Sequence, residues 1–461
     1  MTEPWLGDAC SLVDAMRAGE LSPSEALDAC LKAIENSQLN AFSFIDAESA
    51  RERAATADPR LPFGGVPVGI KELDPIEGWP YDEASLLFKD RRAEYTSTWA
   101  TRLFAAGANP IGLCTASEFG GLNVSVSKLN GVTGNAWNPA KTAGGSSGGS
   151  SAAVAGGLVP IASGGDGGGS IRIPAAFNGL LGMKGSAGRI PRGPRTEIAP
   201  MTVVLGCQAR SVRDAARWYD VCSGYDARDP YSLPKIDGWE RDLGTRELRG
   251  RKAAIAPDLG SAVVRPEVAQ IVVSAGEALA RDAGLELVDI PVKLPDLGAE
   301  WAMANLVQLR HSLGSLWPDR KDDLTDEMAF GLTLAEQVYN LELAGRVEAQ
   351  RTEANEMMAG IFDEVDFVIS ATNPDVAYPA HIAINLRVGD VQTTPQNNGA
   401  LTIPANIVGN PAVSIPVGTL DGLPVGMQVI GRHHEDALLF DLALAVERER
   451  PWPLVAPGAP V

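Results

Sequence analysis

Two glycine–serine clusters sit embedded in small and apolar sequence, and they constrain this chain more than any other feature. The first is Gly144–Gly149 (GGSSGG); the second runs from Asp166 to Arg172 (DGGGSIR). Stretches of this composition are ordinarily flexible linkers. Here they are flanked by Ser151–Ile161 (SAAVAGGLVPI) and Ile171–Met183, segments that seek burial rather than solvent. Glycine backbone held in an interior lets a neighbouring hydroxyl approach a substrate closely. Upstream, the apolar run Gly65–Lys71 (GVPVGIK) closes on a lysine. On a strand, Lys71 shares its face with Gly69 and Pro67, a floor of small residues. A lysine taken out of water gives up its proton readily and can then act as a base. The residues read as a Ser–Ser–Lys hydrolytic site with serine as nucleophile.

Competing motifs fit less well. Neither cluster satisfies the dinucleotide pattern, because Ser170 stands where the third glycine belongs, and neither satisfies the P-loop pattern. Both Gly144–Gly148 and Gly145–Gly149 match the G-x-S-x-G nucleophile elbow. That elbow needs an apolar strand running into it and a downstream acid and histidine. The preceding Asn135–Thr142 reads as a loop. The four histidines are His311, His381, His433 and His434, and the last two sit in a charged turn. From the residues alone, a histidine-based triad stays open as the alternative.

The set Lys71, Ser146 and Ser170 resembles the Lys–cis-Ser–Ser triad of the amidase signature family. The 24-residue offset between the two serines matches that family's spacing. Further landmarks follow in family order: Leu61–Leu73, Ser117–Phe119, Ser170–Gly193 and Asn406–Gly431. The likeness spans roughly residues 5 to 450. It implies that Ser170 attacks, that Ser146 follows a cis peptide and relays the proton to neutral Lys71, and that Gly167, Gly168 and Gly169 face the oxyanion. Loss of one such donor typically costs on the order of 3 kcal/mol of transition-state stabilisation. Asp166, Arg172 and Ser147 would support the loop, and Gly120, Gly121, Leu122 and Asn123 would line the acyl channel. Trp79–Tyr81, Trp301 and Leu306 are expected to add apolar walls. Two departures, the absence of an Asp-Gln-x-Gly-Pro run at Leu205–Arg213 and Ile at position 173, point away from the tRNA amidotransferase branch. They point towards free-standing amidases acting on aryl amides, nylon-type amides and carbamates. A third departure, glycine at position 167, loosens the oxyanion turn without removing a donor.

Composition narrows the setting. The 461 residues are 45% hydrophobic, with a formal charge of −19, which repels phosphate backbones and anionic membranes. No segment is long and apolar enough to span a membrane and the start has no signal-peptide pattern, so a soluble, cytoplasmic protein is expected. Five cysteines without a C-x-x-C pair read as buried thiols, three in helices and one in a strand. No metal or cofactor is expected. The partner is a small amide or carbamate, with no nucleic acid and no membrane, and a homodimer is allowed.

The expected fold is a single α/β domain over 1–461, a mixed twisted sheet sandwiched between helices. Residues 1–60 supply N-terminal helices, 61–220 the catalytic core, 221–400 a helical and loop cover region, and 401–450 the completion of the sheet. Ser22-Pro23-Ser24-Glu25 predicts a capped helix start. Ser151–Leu158 predicts a buried helix of small residues. Leu324–Glu364 predicts helix broken near Gly331 and Gly345.

Overall fold

A computed structural model describes residues 4–461. Its centre is an eleven-stranded mixed sheet. The strands of the chain are β1 (Phe42–Ile45), β2 (Pro67–Lys71), β3 (Asn109–Cys114), β4 (Val126–Ser127), β5 (Gly131–Val132), β6 (Ile161–Asp166), β7 (Leu181–Lys184) and β8 (Val204–Ala209). They continue as β9 (Lys252–Ile255), β10 (Glu286–Leu287), β11 (Phe367–Ala371), β12 (Arg387–Val388), β13 (Val391–Gln392), β14 (Ala412–Leu420) and β15 (Leu423–Gly431). The large sheet runs β1-β3-β2-β6-β8-β7-β14-β15-β11-β9-β10, while β4/β5 and β12/β13 form separate two-stranded ribbons.

Strands β2, β3, β7 and β15 are buried along their whole length, as expected of a sheet covered by helices. Helices Gly148–Ala155 and Arg172–Asn178 pack against each other and against the strands beside the site. A second group, Val212–Cys222, Pro266–Ala283 and Asp436–Glu449, packs on β8, β14 and β15. β2 and β6 lie side by side and parallel, with Val68 opposite Ile161 and Gly69 opposite Ala162. Their carboxyl ends therefore open on the same edge, and Lys71 and Asp166 stand there as the last residues of the two strands.

Sequence and structure agree on most elements. Ser22 caps the helix Pro23–Asn36 in a full capping box with Glu25. All five cysteines are free and buried, but two, Cys114 and Cys207, lie in strands rather than one. The small-residue helix begins earlier than expected, at Gly148. The helical stretch after Leu324 breaks at Tyr339–Asn340, not at Gly331 or Gly345: Asn340 caps the next helix by accepting the Leu343 N–H at 2.9 Å. A side chain that satisfies an orphan N–H ends a helix more firmly than an interior glycine, which costs only about 1 kcal/mol.

Candidate active site

Lys71 is held at both ends. Its backbone N–H donates to Ser163 Oγ on β6 at 2.8 Å, which locks the end of one strand to its neighbour. Its Nζ donates to Ser146 Oγ at 2.7 Å and to the Gly165 carbonyl at 3.2 Å. Burial lowers its pKa to about 8, against the opposing charges of Asp74, Asp166 and Glu72. Ser146 follows a cis Gly145–Ser146 peptide. Its neighbour Ser147 ties the two clusters together. The Ser147 N–H donates to the Ser170 carbonyl at 3.3 Å, and its hydroxyl donates to the Gly165 carbonyl at 3.3 Å. Lys71, Ser146 and Ser170 line one cavity of about 520 Å³. No hydrogen bond links Ser170 Oγ to Ser146 Oγ among the described residues.

The loop carrying Ser170 is braced by a buried ion pair. Arg172 donates to both Asp166 oxygens at 2.9 Å, and both side chains are fully buried. Burial pushes the Asp166 carboxyl up, but the Arg172 charge and hydrogen bonds outweigh it and hold it well below the usual carboxylate range. The remaining arginine N–H groups reach Gln428 Oε1 at 2.6 Å and Asn406 Oδ1 at 2.5 Å. Asn406 in turn donates to the Asp166 carbonyl at 2.8 Å. A buried charge pair with this many partners is geometrically over-determined, which holds the loop carrying Ser170 rigid.

The same network revises the expected oxyanion donors. The Gly169 N–H donates to Asp166 Oδ1 at 2.7 Å, so it is committed to the loop and does not face the cavity as a free donor. Its φ of +124° and a virtual Cβ 2.4 Å from Thr402 Oγ1 make glycine obligatory there for turning the chain. Among the described residues, the N–H groups of Gly167, Gly168 and Ser170 take no protein acceptor. The carbonyls of the first two are pinned from the far side, Gly167 O by Trp301 Nε1 at 2.7 Å and Gly168 O by Thr402 Oγ1 at 2.6 Å.

Of the residues expected to line the acyl channel, Gly120 and Gly121 line this cavity. Gly120 has φ +71°, and a Cβ there would stand 3.5 Å from Ser146 Oγ. Leu122 and Asn123 do not line this cavity. The chain turns after Gly121 because the Leu122 N–H donates to Ser117 Oγ at 3.4 Å and Asn123 Nδ2 to the Asn398 carbonyl at 2.8 Å. Tyr81 and Trp301 are walls, whereas Trp79 is turned to Asp46 and Leu306 packs with Phe119 and Met328 outside the cavity. None of the four histidines lines it. Sequence reading assigned no role to Asp74, Ser163, Thr402, Asn406 or Gln428. Asn406 and Gln428 lay within a stretch already marked as a landmark; Ser163 and Thr402 carry no sequence signal of their own.

The chain matches the family model for amidase over residues 25–440. It is 30% identical over 488 aligned residues to the A-type subunit of a glutamyl-tRNA(Gln) amidotransferase from Lacticaseibacillus casei, covering 97% of this chain and 98% of the relative. An acylamidase of Rhodococcus erythropolis is 29% identical over 472 residues, covering 97% and 96%. Among solved structures, a bacterial aryl acylamidase of the amidase signature family superposes with a TM-score of 0.90 at 28% identity, over 99% of each chain. A 6-aminohexanoate cyclic dimer hydrolase superposes at 0.88 and 26% identity over 100% of both. Because the likeness runs the length of the chain and passes through the buried lysine and both serine clusters, the chain belongs to the amidase family and is a hydrolase of C–N bonds.

Proposed function

We propose that this amidase works through Ser170, Ser146 and Lys71, and that its substrates are aryl amides or aryl carbamates. The observation that carries the reading is the 2.7 Å contact between a fully buried Lys71 amine and Ser146 Oγ, in the cavity that Ser170 also lines. An amide is a weak electrophile with a poor leaving group, so its hydrolysis needs an activated nucleophile, a site for the oxyanion and a proton for the departing nitrogen. Ser170 attacks the carbonyl carbon. Its proton passes to Ser146 Oγ as Ser146 passes its own to the Lys71 amine. Rotation of the Ser170 side chain towards Ser146 closes this relay, a contact that tightens when substrate is bound. The free N–H groups of Gly167, Gly168 and Ser170 receive the oxyanion. Reversal of the relay protonates the leaving amine, and water then releases the acyl group by the same path. A carbamate follows the same steps and ends in loss of carbon dioxide.

The aryl preference rests on the bare backbone of Gly120 and Gly121 and on the Tyr81 and Trp301 walls. Purified protein assayed against p-nitroanilides, aryl carbamates and acetamide tests it, together with Gly121→Phe. A Cβ at Gly121 would meet Met328 Sδ at 2.7 Å, outside the cavity, so phenylalanine there acts by displacing the methionine behind the Gly120–Gly121 wall. The reading expects a selective loss of aryl kcat/KM, about tenfold or more, with acetamide spared. Equal losses on both would move the acyl pocket elsewhere.

The full-length similarity to A-type amidotransferase subunits supports a second reading, in which the site supplies ammonia from glutamine to a partner. Glutamine hydrolysis that appears only when the partner proteins are added would favour it.

A further inference from the structure

We propose that Asp74 is a positioning residue of this site: its carboxylate is the counter-ion for the ammonium formed on Lys71 when the serine relay delivers a proton. The proposal rests on the triad reading above. Asp74 follows Lys71 by three residues, and its N–H donates to the Lys71 carbonyl at 2.8 Å, so a tight turn folds it back beside the lysine. Ser163 Oγ accepts from the Lys71 N–H at 2.8 Å and donates to Asp74 Oδ2 at 2.9 Å, coupling the two through a single hydroxyl. Asp74 is 93% buried, with 7% of its surface exposed, yet it lines the cavity. Among the described residues, its other oxygen takes no protein donor.

The charges around the lysine single Asp74 out. Three carboxylates act on Lys71: Asp74, Asp166 and Glu72. Asp166 is neutralised by Arg172 and also feels Lys184 on β7. Glu72 is turned away, accepting from the Ala116 N–H at 2.5 Å and Asn130 Nδ2 at 2.7 Å, and burial raises its pKa to about 8. Of the other acids lining the cavity, Glu83 is paired with Arg91 and Glu197 with Arg192, while the cavity's remaining cation, Arg195, is held by Glu94. Tyr81 contributes only a neutral phenol, burial pushing its pKa up. Asp74 has no arginine or lysine ion-pair partner among the described residues. Burial raises its pKa to about 6, against Lys71 and Ser163, which lower it. It is therefore an anion at the pH where Lys71 is a neutral base. An unpaired buried anion gains most when a positive charge appears beside it, and the relay creates one on Lys71.

The test is the pH profile of kcat/KM on a neutral p-nitroanilide for wild type, Asp74→Asn, Asp74→Glu and Ser163→Ala. Removing the anion should move the acid limb to lower pH by about 1 unit, because the lysine loses the charge that favours its protonated form. At the same time the plateau should fall about tenfold, the rate equivalent of that shift. Asp74→Glu should recover part of both, and Ser163→Ala should shift the limb the same way by less. A merely structural role would lower the plateau without moving the limb, and an unmoved limb in both Asp74→Asn and Ser163→Ala overturns the proposal. If Asp74→Asn does not fold, Ser163→Ala alone decides. Fluorophosphonate mapping in the wild type separates the triad reading from the role of Asp74. Label absent from Ser170 breaks the triad reading itself; label on Ser170 with an unmoved limb breaks only the role of Asp74.

Discussion

The helix Gly148–Ala155 buries all eight of its residues, whereas Gly298–Leu313, twice as long, buries only Leu313. The first presses serine-cluster backbone into the middle of the sheet; the second is laid across the cavity and reaches the catalytic loop chiefly through the Trp301 indole. The helix Leu341–Glu364 is similar, with five buried residues in its 24. The contrast separates chemistry from recognition. In the proposed reading, the chemistry sits where the backbone is fixed by packing and by the Asp166–Arg172 network, with the N–H groups of Gly167, Gly168 and Ser170 left free. Recognition, on the same reading, falls to the thinly anchored Gly298–Leu313, which sets Trp301 and Asn305 in the cavity wall.

If this division holds, substitutions in the core should be severe and indifferent to substrate. Lys71→Arg should reduce kcat/KM by about 10³-fold, the middle of the range for a lost general base, since a guanidinium does not give up its proton. In the wild type, the rate should climb through about pH 8 as Lys71 becomes neutral. The sign follows from the lowered value: below it the amine is an ammonium and cannot accept the Ser146 proton. An active arginine variant, or a rate that falls through pH 8, would make Lys71 a fixed charge instead of a base.

Asp166→Asn should cost about 3–5 kcal/mol of stability in denaturant titration, because it leaves the buried Arg172 without its counter-charge. A change under 1 kcal/mol would mean that Asn406 and Gln428 carry the arginine by themselves.

Predictions for the cover are smaller and depend on the substrate. Trp301→Phe keeps a ring over the cavity but removes the 2.7 Å hydrogen bond to the Gly167 carbonyl. A loss of about 1 kcal/mol, near fivefold in kcat, is expected, with KM changed more for bulky substrates than for acetamide. Smallest of all, Leu341→Gln at a 93% exposed position should leave activity unaltered and stability within about 0.5 kcal/mol. A large effect there would show the cover to be anchored more firmly than its burial implies.

The same division explains what could be read from the sequence. Lys71, Ser146 and Ser170 were legible because glycine clusters surrounded by apolar residues admit few readings, and the strand parity of Pro67–Lys71 places the lysine on a small-residue face. The sheet was legible from its buried strands. The commitment of the Gly169 N–H to Asp166 was not, since a run of three glycines does not reveal which N–H turns inward. Nor were Leu122 and Asn123, whose departure from the cavity is set by Ser117 and Asn398, the latter 275 residues away from Asn123. Nor was the helix break at Asn340, where a side-chain cap decides the boundary while the interior glycines Gly331 and Gly345 are tolerated. Nor was Asp74: a lone aspartate after a strand reads as solvated, and its tie to Ser163 reaches across 89 residues of sequence.

The central claim is that Ser170 carries the acyl group and Ser146 only the proton. Rapid quenching of wild type, Ser170→Ala and Ser146→Ala with an activated aryl ester, followed by intact-mass and peptide analysis, tests it directly. The account predicts an acyl adduct on Ser170 in the wild type, none in Ser170→Ala, and a slowly formed adduct, again on Ser170, in Ser146→Ala. An adduct on Ser146, or one that survives Ser170→Ala while Ser146→Ala abolishes it, would contradict the assignment and exchange the two roles.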